Sequence, residues 1–366
     1  MDFLPDSLRT ILSFILVLGV LVFVHEMGHY LAARWRGIHV EAFSIGFGKV
    51  LRRWTDKRGT EWRLSALPLG GYVKLHGQEG PDDATPEQRA AWRQGQTFHE
   101  KPVRDRAIVV AAGPVFNFVL AILLFAGLYM TAGQPQPSAN IGTVVENSAA
   151  ARSGLRVGDR VLALDGQPVD RFEQIQRYIQ PRAGQPVEML ISREGAEQAI
   201  SVTPDSRESG GSTVGVLGIS TTSVDYRRLG PVSAVMAGTE QTIEVGRQTL
   251  VSVWEMITGR RGTEELGGVL RIAQISGQVT EMGIASTIVL LAVLSVNLGL
   301  INLFPVPMLD GGHLFFYAAE AIRGRPVSAR VMDYSFRVGF AVIIALFVFS
   351  TFNDVRHIGW FSGLFG

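Results

Sequence analysis

Three long apolar runs set the first-order organisation of this chain: Ile11 to Ala33, broken only by a His-Glu cluster, Ala107 to Met130, and Ile284 to Phe304. Each supplies the roughly 20 residues that cross about 30 Å of hydrocarbon at about 1.5 Å per residue. A fourth run, Val338 to Phe352, is short but extends back through Tyr334, with Arg337 able to snorkel to the interface. Between the first two runs, Gly37 to Lys74 alternates apolar and polar positions, with Phe43, Ile45 and Phe47 on one side, around the turn-rich Asp56-Lys57-Arg58-Gly59. That pattern predicts one or more β-hairpins. From Ala139 to Pro204, β-rich runs such as Gly142 to Val145 and Val187 to Ile191 alternate with glycine turns and a helical stretch near Phe172 to Ile179. They predict a soluble α+β module. Val232, Val235, Met236, Ile243, Leu250, Trp254 and Ile257 recur at mostly helical spacing, which predicts an amphipathic helix lying on the membrane surface or packed on the soluble module.

The fold class expected from these patterns is a polytopic α-helical membrane protein with four transmembrane helices. Its segments are a first span (1–36), a loop with the hairpin (37–103), a second span (104–131), the inserted module (138–226), an amphipathic connector (228–282), a third span (283–304), a loop and short helix (305–332), a fourth span (333–353) and a tail (354–366). Composition agrees, since 47% hydrophobic residues and a positive mean hydropathy exceed what an ordinary soluble domain carries. A net charge of +1 gives no sign of a nucleic-acid partner. Arg34, Arg36, Lys49, Arg52, Arg53, Lys57, Arg58 and Arg63 follow the first span, and Arg323, Arg325 and Arg330 follow the third. By the positive-inside rule both loops are expected in the cytoplasm, and both termini and the module on the other side. Asp2 and Asp6 against a single Arg9, ahead of an overlong apolar run, predict an uncleaved first span rather than a signal peptide.

The chemistry is concentrated in His25-Glu26-Met27-Gly28-His29, inside the first apolar run. Histidines four residues apart share one helix face, so both imidazoles can reach one metal ion, with Glu26 placed to act as general base on its water. The chain has no cysteine, so a third ligand must be His, Asp or Glu. Asp310 is the candidate. It follows Pro305 and Pro307 and precedes Gly311 and Gly312, which predicts an aspartate on unwound backbone folded toward the first span, the alternative being an N-cap. His313 is the rival ligand, while His39, His76, His99 and His357 read as solvated. Ionisable groups within a bilayer are costly, by roughly 2.5 to 3.5 kcal/mol at its centre, and so mark function.

The combination of His-Glu-x-x-His in a first span with Asn302-Leu303-Phe304-Pro305-Val306-Pro307-Met308-Leu309-Asp310-Gly311 after a third resembles the site-2 protease family of intramembrane zinc metalloproteases. Gly70-Gly71-Tyr72-Val73-Lys74, and Gly113-Pro114 with Asn117 in the second span, are similar to its bacterial branch, the regulator of sigma-E proteases. The resemblance implies Zn2+ held by His25, His29 and Asp310, catalysis by Glu26, and substrate backbone held by Asn297 and Asn302. It also implies a membrane-associated β sheet beside the active site, and substrates that are single-pass membrane proteins, such as anti-sigma factors or remnant signal peptides, in the inner membrane of a bacterium. Ser148 to Leu162 followed by Asp165-Gly166-Gln167-Pro168-Val169 looks like a bacterial PDZ domain, which takes peptide ends by strand addition or acts as a size filter. Thr131 to Met282 has room for one such domain, not the tandem pair of many relatives. A noncatalytic PDZ membrane adaptor and a metal transporter are the alternatives. The intact Glu26 speaks against the first and the lack of a second copy of the binding segment against the second.

Overall fold

The apolar runs fold as continuous helices. A computed structural model describes residues 6–80, 84–209, 212–260, 262 and 267–357. Two compact units emerge, one built from residues 1–128 and 231–366 and the other from residues 129–230. In chain order the first contains α1 (Asp6–Trp35), β1 (Val40–Thr55), β2 (Glu61–Leu75), α2 (Val103–Thr131), α3 (Pro231–Ile257), α4 (Val269–Glu281), α5 (Ile284–Asn302), α6 (Asp310–Arg323) and α7 (Ala329–His357). Among the described residues α1, α2, α5 and α7 are the helices long and apolar enough to cross a membrane. Of the four, α7 has the smallest buried share.

β1 and β2 form a more elaborate hairpin than alternation suggests. Ala42, Phe43, Ser44 and Ile45 have partners on two sides: Lys74, Val73, Tyr72 and Gly71 on one, Glu61, Trp62, Arg63 and Leu64 on the other. The outer half of β1, Val50 to Thr55, pairs in turn with Ser65 to Glu61. Both long strands therefore double back across themselves. Gly46 and Gly48, at φ 88° and 82°, supply the bend in β1, where L side chains are strained. The turn at Asp56 closes as its composition predicts: Asp56 Oδ1 accepts from Arg58 N at 2.8 Å and Thr60 N at 3.0 Å, and Oδ2 accepts from Trp62 Nε1 at 3.1 Å. Tyr30 of α1, Phe43 and Trp62 pack edge-on and tilted against one another, joining the sheet to the first span.

The helix after the module has two faces: the apolar stripe from Val232 to Ile257 stays exposed, as an amphipathic surface helix requires, and the opposite face packs on a neighbouring helix. Its small residues Ala234, Gly238, Thr242 and Val245 are buried. A Cβ on Gly238 would lie 2.8 Å from the Ile122 carbonyl oxygen, so α3 packs directly along α2. Small residues three or four apart allow this approach, which the apolar stripe alone does not reveal. His39 and His76, read as solvated, are buried. His76 Nδ1 lies 2.7 Å from Glu41 Oε1, and its Nε2 accepts from Arg93 N at 2.9 Å, so both nitrogens have partners in the fold.

The second unit has its own core. Strands Gln167–Pro168, Arg160–Leu164, Val187–Arg193 and Ala196–Val202 form an antiparallel sheet in that spatial order. Helix Phe172–Ile179 buries Phe172, Ile175 and Ile179 in a core with Val161, Leu164, Met189 and Ile191. The chain enters and leaves side by side, since Gln134–Pro137 pairs with Val224–Arg227. That is what insertion into another domain requires.

Asp159 ties this unit together. It is 1% exposed and accepts from Arg193 Nε and Nη2 at 2.7 Å each and from Arg156 N at 2.8 Å. Burial pushes its carboxyl up, but these donors outweigh burial and hold it below its ordinary 3.8. Because the folded value is the lower one, the stabilisation is complete above the unfolded value and is lost as pH falls through the folded one. Amide protection factors of Val187 to Arg193 in the intact protein, corrected for the intrinsic exchange rate, should therefore fall on acidification below about pH 4. Asp159→Asn should remove that acid-dependent part and cost the module about 1.5 to 3 kcal/mol at neutral pH. Unchanged exchange in the variant would exclude the role.

Candidate metal centre

His25 and His29 share a face of α1 that meets α2, and the approach is close because both helices present glycine. A Cβ on Gly28 would lie 2.4 Å from the Ala112 carbonyl oxygen. A Cβ on Gly113 would lie 2.4 Å from His29 Nε2 and 2.9 Å from His25 Cε1. The space of that missing side chain holds the two rings. Val109, Gly113 and Asn117 recur every four residues on α2, so one stripe of that helix backs both imidazoles. His29 Nδ1 lies 2.9 Å from the Val109 carbonyl oxygen. A carbonyl only accepts, so Nδ1 donates and Nε2 carries the lone pair. Asn117, fully buried, places its amide 3.1 Å from His25 Nδ1.

Asp310 arrives from the other side of the site. The chain leaves α5 at Leu303 and passes Pro305, Pro307 and Met308, which sits at φ 84°, before α6 begins. Asp310 lies neither on unwound backbone nor at the N-cap; Leu309 is the cap and Asp310 the first helical residue. The unwound stretch precedes it. Gly311 and Gly312 serve close packing rather than reversal: a Cβ on Gly311 would lie 2.3 Å from the Leu303 and Phe304 carbonyl oxygens, and one on Gly312 2.5 Å from that of Val306. The start of α6 thus presses onto the loop, and Asp310 points at the histidines.

The three ligand atoms converge. His25 Nε2 is 3.2 Å from His29 Nε2 and 3.2 Å from Asp310 Oδ2, and His29 Nε2 is 3.5 Å from the same oxygen. Ligands about 2.0 to 2.1 Å from a tetrahedral zinc lie about 3.3 Å apart, so the triangle has the size zinc needs. Asp310 Oδ2 is buried and meets both nitrogens outside hydrogen-bond geometry. Three nitrogen and oxygen atoms at this spacing can share a metal cation or a proton between them. Among the described residues this is the group of His, Asp and Glu side chains arranged for a metal, and His313 is not in it. His313 instead packs with its ring 5.3 Å from that of Phe336.

A cavity of about 540 Å³ opens from the centre, lined by Glu26, Tyr72, Asn302 and His313 with the three ligands. Glu26 is fitted against β2, because a Cβ on Gly71 would lie 2.9 Å from Glu26 Cγ. At the far end Arg106 Nη2 donates to Glu320 Oε1 at 2.6 Å, joining α2 to α6. The two asparagines of the third span part company. Asn302 lines the cavity, whereas Asn297 accepts from Thr249 Oγ1 of α3 at 2.8 Å, a bond between helices. Sequence reasoning missed the roles of Val109, Gly113 and Asn117 as backing for the rings. Their four-residue recurrence was the available signal.

Comparison with known proteins places this geometry in context. The profile of Peptidase family M50 matches residues 13–346. A protein of Agrobacterium fabrum named as a zinc metalloprotease is 46% identical over 361 residues, covering 95% of this chain and 96% of that one. The metalloprotease MmpA of Caulobacter vibrioides is 35% identical, covering 97% and 98% of the two chains. The regulator of sigma-E protease RseP of Salmonella typhimurium is 32% identical, covering 94% and 98%. That last alignment runs to 447 positions against a chain of 366 residues, so the Salmonella protein carries residues this one lacks. A solved PDZ domain of an SdrC-like protein from Listeria innocua covers 25% of this chain and 99% of its own, with 21% identity and a TM-score of 0.21.

Removal of any of the three convergent side chains should lower metal content. His25→Ala, His29→Ala and Asp310→Ala proteins, purified in detergent, should each retain well under one zinc per chain by elemental analysis, and His313→Ala should keep it. Gly113→Ala should also lose zinc although it removes no ligand, because the new methyl occupies the volume of the rings. Full zinc in any ligand variant would take that residue out of the set.

Proposed function

Because the chain belongs to Peptidase family M50 and is a zinc metalloprotease, we propose that it hydrolyses peptide bonds within membrane-spanning helices, with His25, His29 and Asp310 holding the metal and Glu26 moving the proton. The observation that carries this reading is the triangle of ligand atoms beside a carboxylate on a helix apolar enough to span a membrane. When bound, zinc supplies Lewis acidity toward water and toward the scissile carbonyl. Glu26, one residue from His25 and facing the same cavity, takes a proton from the attacking water and returns it to the leaving amine. The cavity beside these groups has room for water and for a stretch of substrate backbone.

An intact substrate helix hides its carbonyls in hydrogen bonds, so local unwinding must precede cleavage. The unwound strand then needs backbone partners. Asn302, on the cavity wall, offers both donor and acceptor, and the Gly71 to Leu75 edge of the sheet, packed beside Glu26, offers strand addition. Asn297, which accepts from Thr249 Oγ1 of α3 and does not line the cavity, is left out of this role. The substrates are single-pass membrane proteins: regulators of the anti-sigma type, as the name of the Salmonella relative suggests, or remnant signal peptides. The arginine-rich loops lie in the cytoplasm, and the termini and the PDZ-like module lie across the inner membrane, where the module binds peptide ends or excludes bulky substrates.

Glu26→Gln should bind zinc normally while cleavage of a model transmembrane peptide by the purified protein falls by at least about a hundredfold. Wild-type activity in that variant would refute the role of Glu26. Orientation can be tested cleanly because the chain has no cysteine of its own. A cysteine at Arg58 should be shielded from a membrane-impermeant maleimide in intact cells and one at Glu194 labelled; the reverse pattern would invert the topology.

A further inference from the structure

We infer that the Asn117 side chain presents its oxygen to His25 Nδ1, and so acts as a positioning residue that fixes which nitrogen of His25 faces the metal. The inference rests on the zinc-protease reading above. As placed, Asn117 Nδ2 lies 3.1 Å from His25 Nδ1. In that orientation Nδ1 accepts, the neutral ring carries its proton on Nε2, and Nε2 has no lone pair for a metal. Yet Nε2 is the atom 3.2 Å from both His29 Nε2 and Asp310 Oδ2. The amide atoms are nearly identical in shape, so their assignment follows from the surrounding chemistry.

Two observations bear on that choice. Asn117 Oδ1 is buried and has no hydrogen-bond partner among the described residues, so the placed orientation does not satisfy the amide. Turning the amide leaves the nitrogen in the same unpartnered position, so the amide itself gains nothing either way. His25 decides. With oxygen toward the ring, Nδ1–H donates to Oδ1 and the Nε2 lone pair is released toward the centre. His29 already shows the same arrangement, since its Nδ1 can only donate to the Val109 carbonyl. Val109 and Asn117, two turns apart on α2, then act as a matched pair of acceptors behind the two rings, with Gly113 between them giving the rings room. Ser295 Oγ of α5 donates to the Asn117 carbonyl oxygen at 2.8 Å, which steadies this point of α2.

The test uses the full-length protein. Solid-state NMR of the zinc-loaded wild type with 15N-labelled histidine should show His25 Nδ1 protonated and Nε2 at a metal-bound shift, the His25 signal being assigned by its loss in His25→Gln. An unprotonated Nδ1 would overturn the inference. Asn117→Ala should weaken zinc affinity about 10- to 100-fold in chelator competition. Asn117→Asp, which keeps an acceptor at that place and cannot donate, should hold zinc at least as tightly as the wild type. Equal losses in the alanine and aspartate variants would also overturn it. The two readings fail separately: undiminished zinc in His25→Ala removes the metal site itself, whereas loss in His25→Ala with wild-type affinity in Asn117→Ala removes only the role of Asn117. If the alanine variant does not fold, the wild-type spectrum decides.

Discussion

The close approach of α1 to α2 at Gly28 and Gly113 is the constraint on which the site depends. Two imidazoles occupy a seam between apolar helices in which neither glycine has room for a methyl group. Were the helices a side chain farther apart, the rings would lose their backing and rotate independently. Polar groups in a membrane helix carry a cost of a few kcal/mol each, which pairing with one another and with backbone carbonyls offsets. The glycines are therefore as much a part of the centre as the ligands.

α2 contributes no candidate ligand, yet both imidazoles lean on it. The Val109 carbonyl accepts from His29, Asn117 sits behind His25, and the Pro114 carbonyl oxygen lies against Gly299 of α5, where a Cβ would be 3.0 Å away. At its other end Arg106 pairs with Glu320, which shares α6 with Asp310. Both members of that pair are largely buried, so breaking it strands a charge and costs more than the contact alone would suggest. The geometry between the histidines and the aspartate, which come from distant parts of the chain, is thus set by one intermediate helix.

The sequence was most readable where chemistry is local. Four membrane-sized helices, the turn at Asp56 and the helix Phe172–Ile179 follow from composition and spacing over a few residues, and the structure has them there. His25 and His29 could be singled out by their four-residue spacing and their cost in apolar surroundings, Asp310 by the proline and glycine residues around it and by resemblance, and the structure brings the three together. Asp310 was read on the wrong kind of backbone. Gly311 and Gly312 looked like a turn signal, but what they meet is the Leu303 to Val306 backbone, a contact that no local pattern encodes. His39 and His76 were misread for the same reason, since their partners Gln96, Arg93 and Glu41 come from other segments of the loop and sheet.

Asn297 shows most clearly why position in a motif does not settle a side chain's use. Its spacing from Asn302 puts both near the end of one helix, and five residues at about 100° each turn the second asparagine well away from the first. Only one can face the cavity squarely. The other faces α3, where Thr249 continues the small-residue stripe of Ala234, Gly238 and Thr242 and donates to it. A helix that appeared from its apolar residues to belong to a surface thus engages a polar residue of a membrane span. Breaking the Thr249 bond would free a lone pair of the Asn297 amide oxygen for another donor, so what this side chain binds depends on where α3 sits and not on its place in the motif.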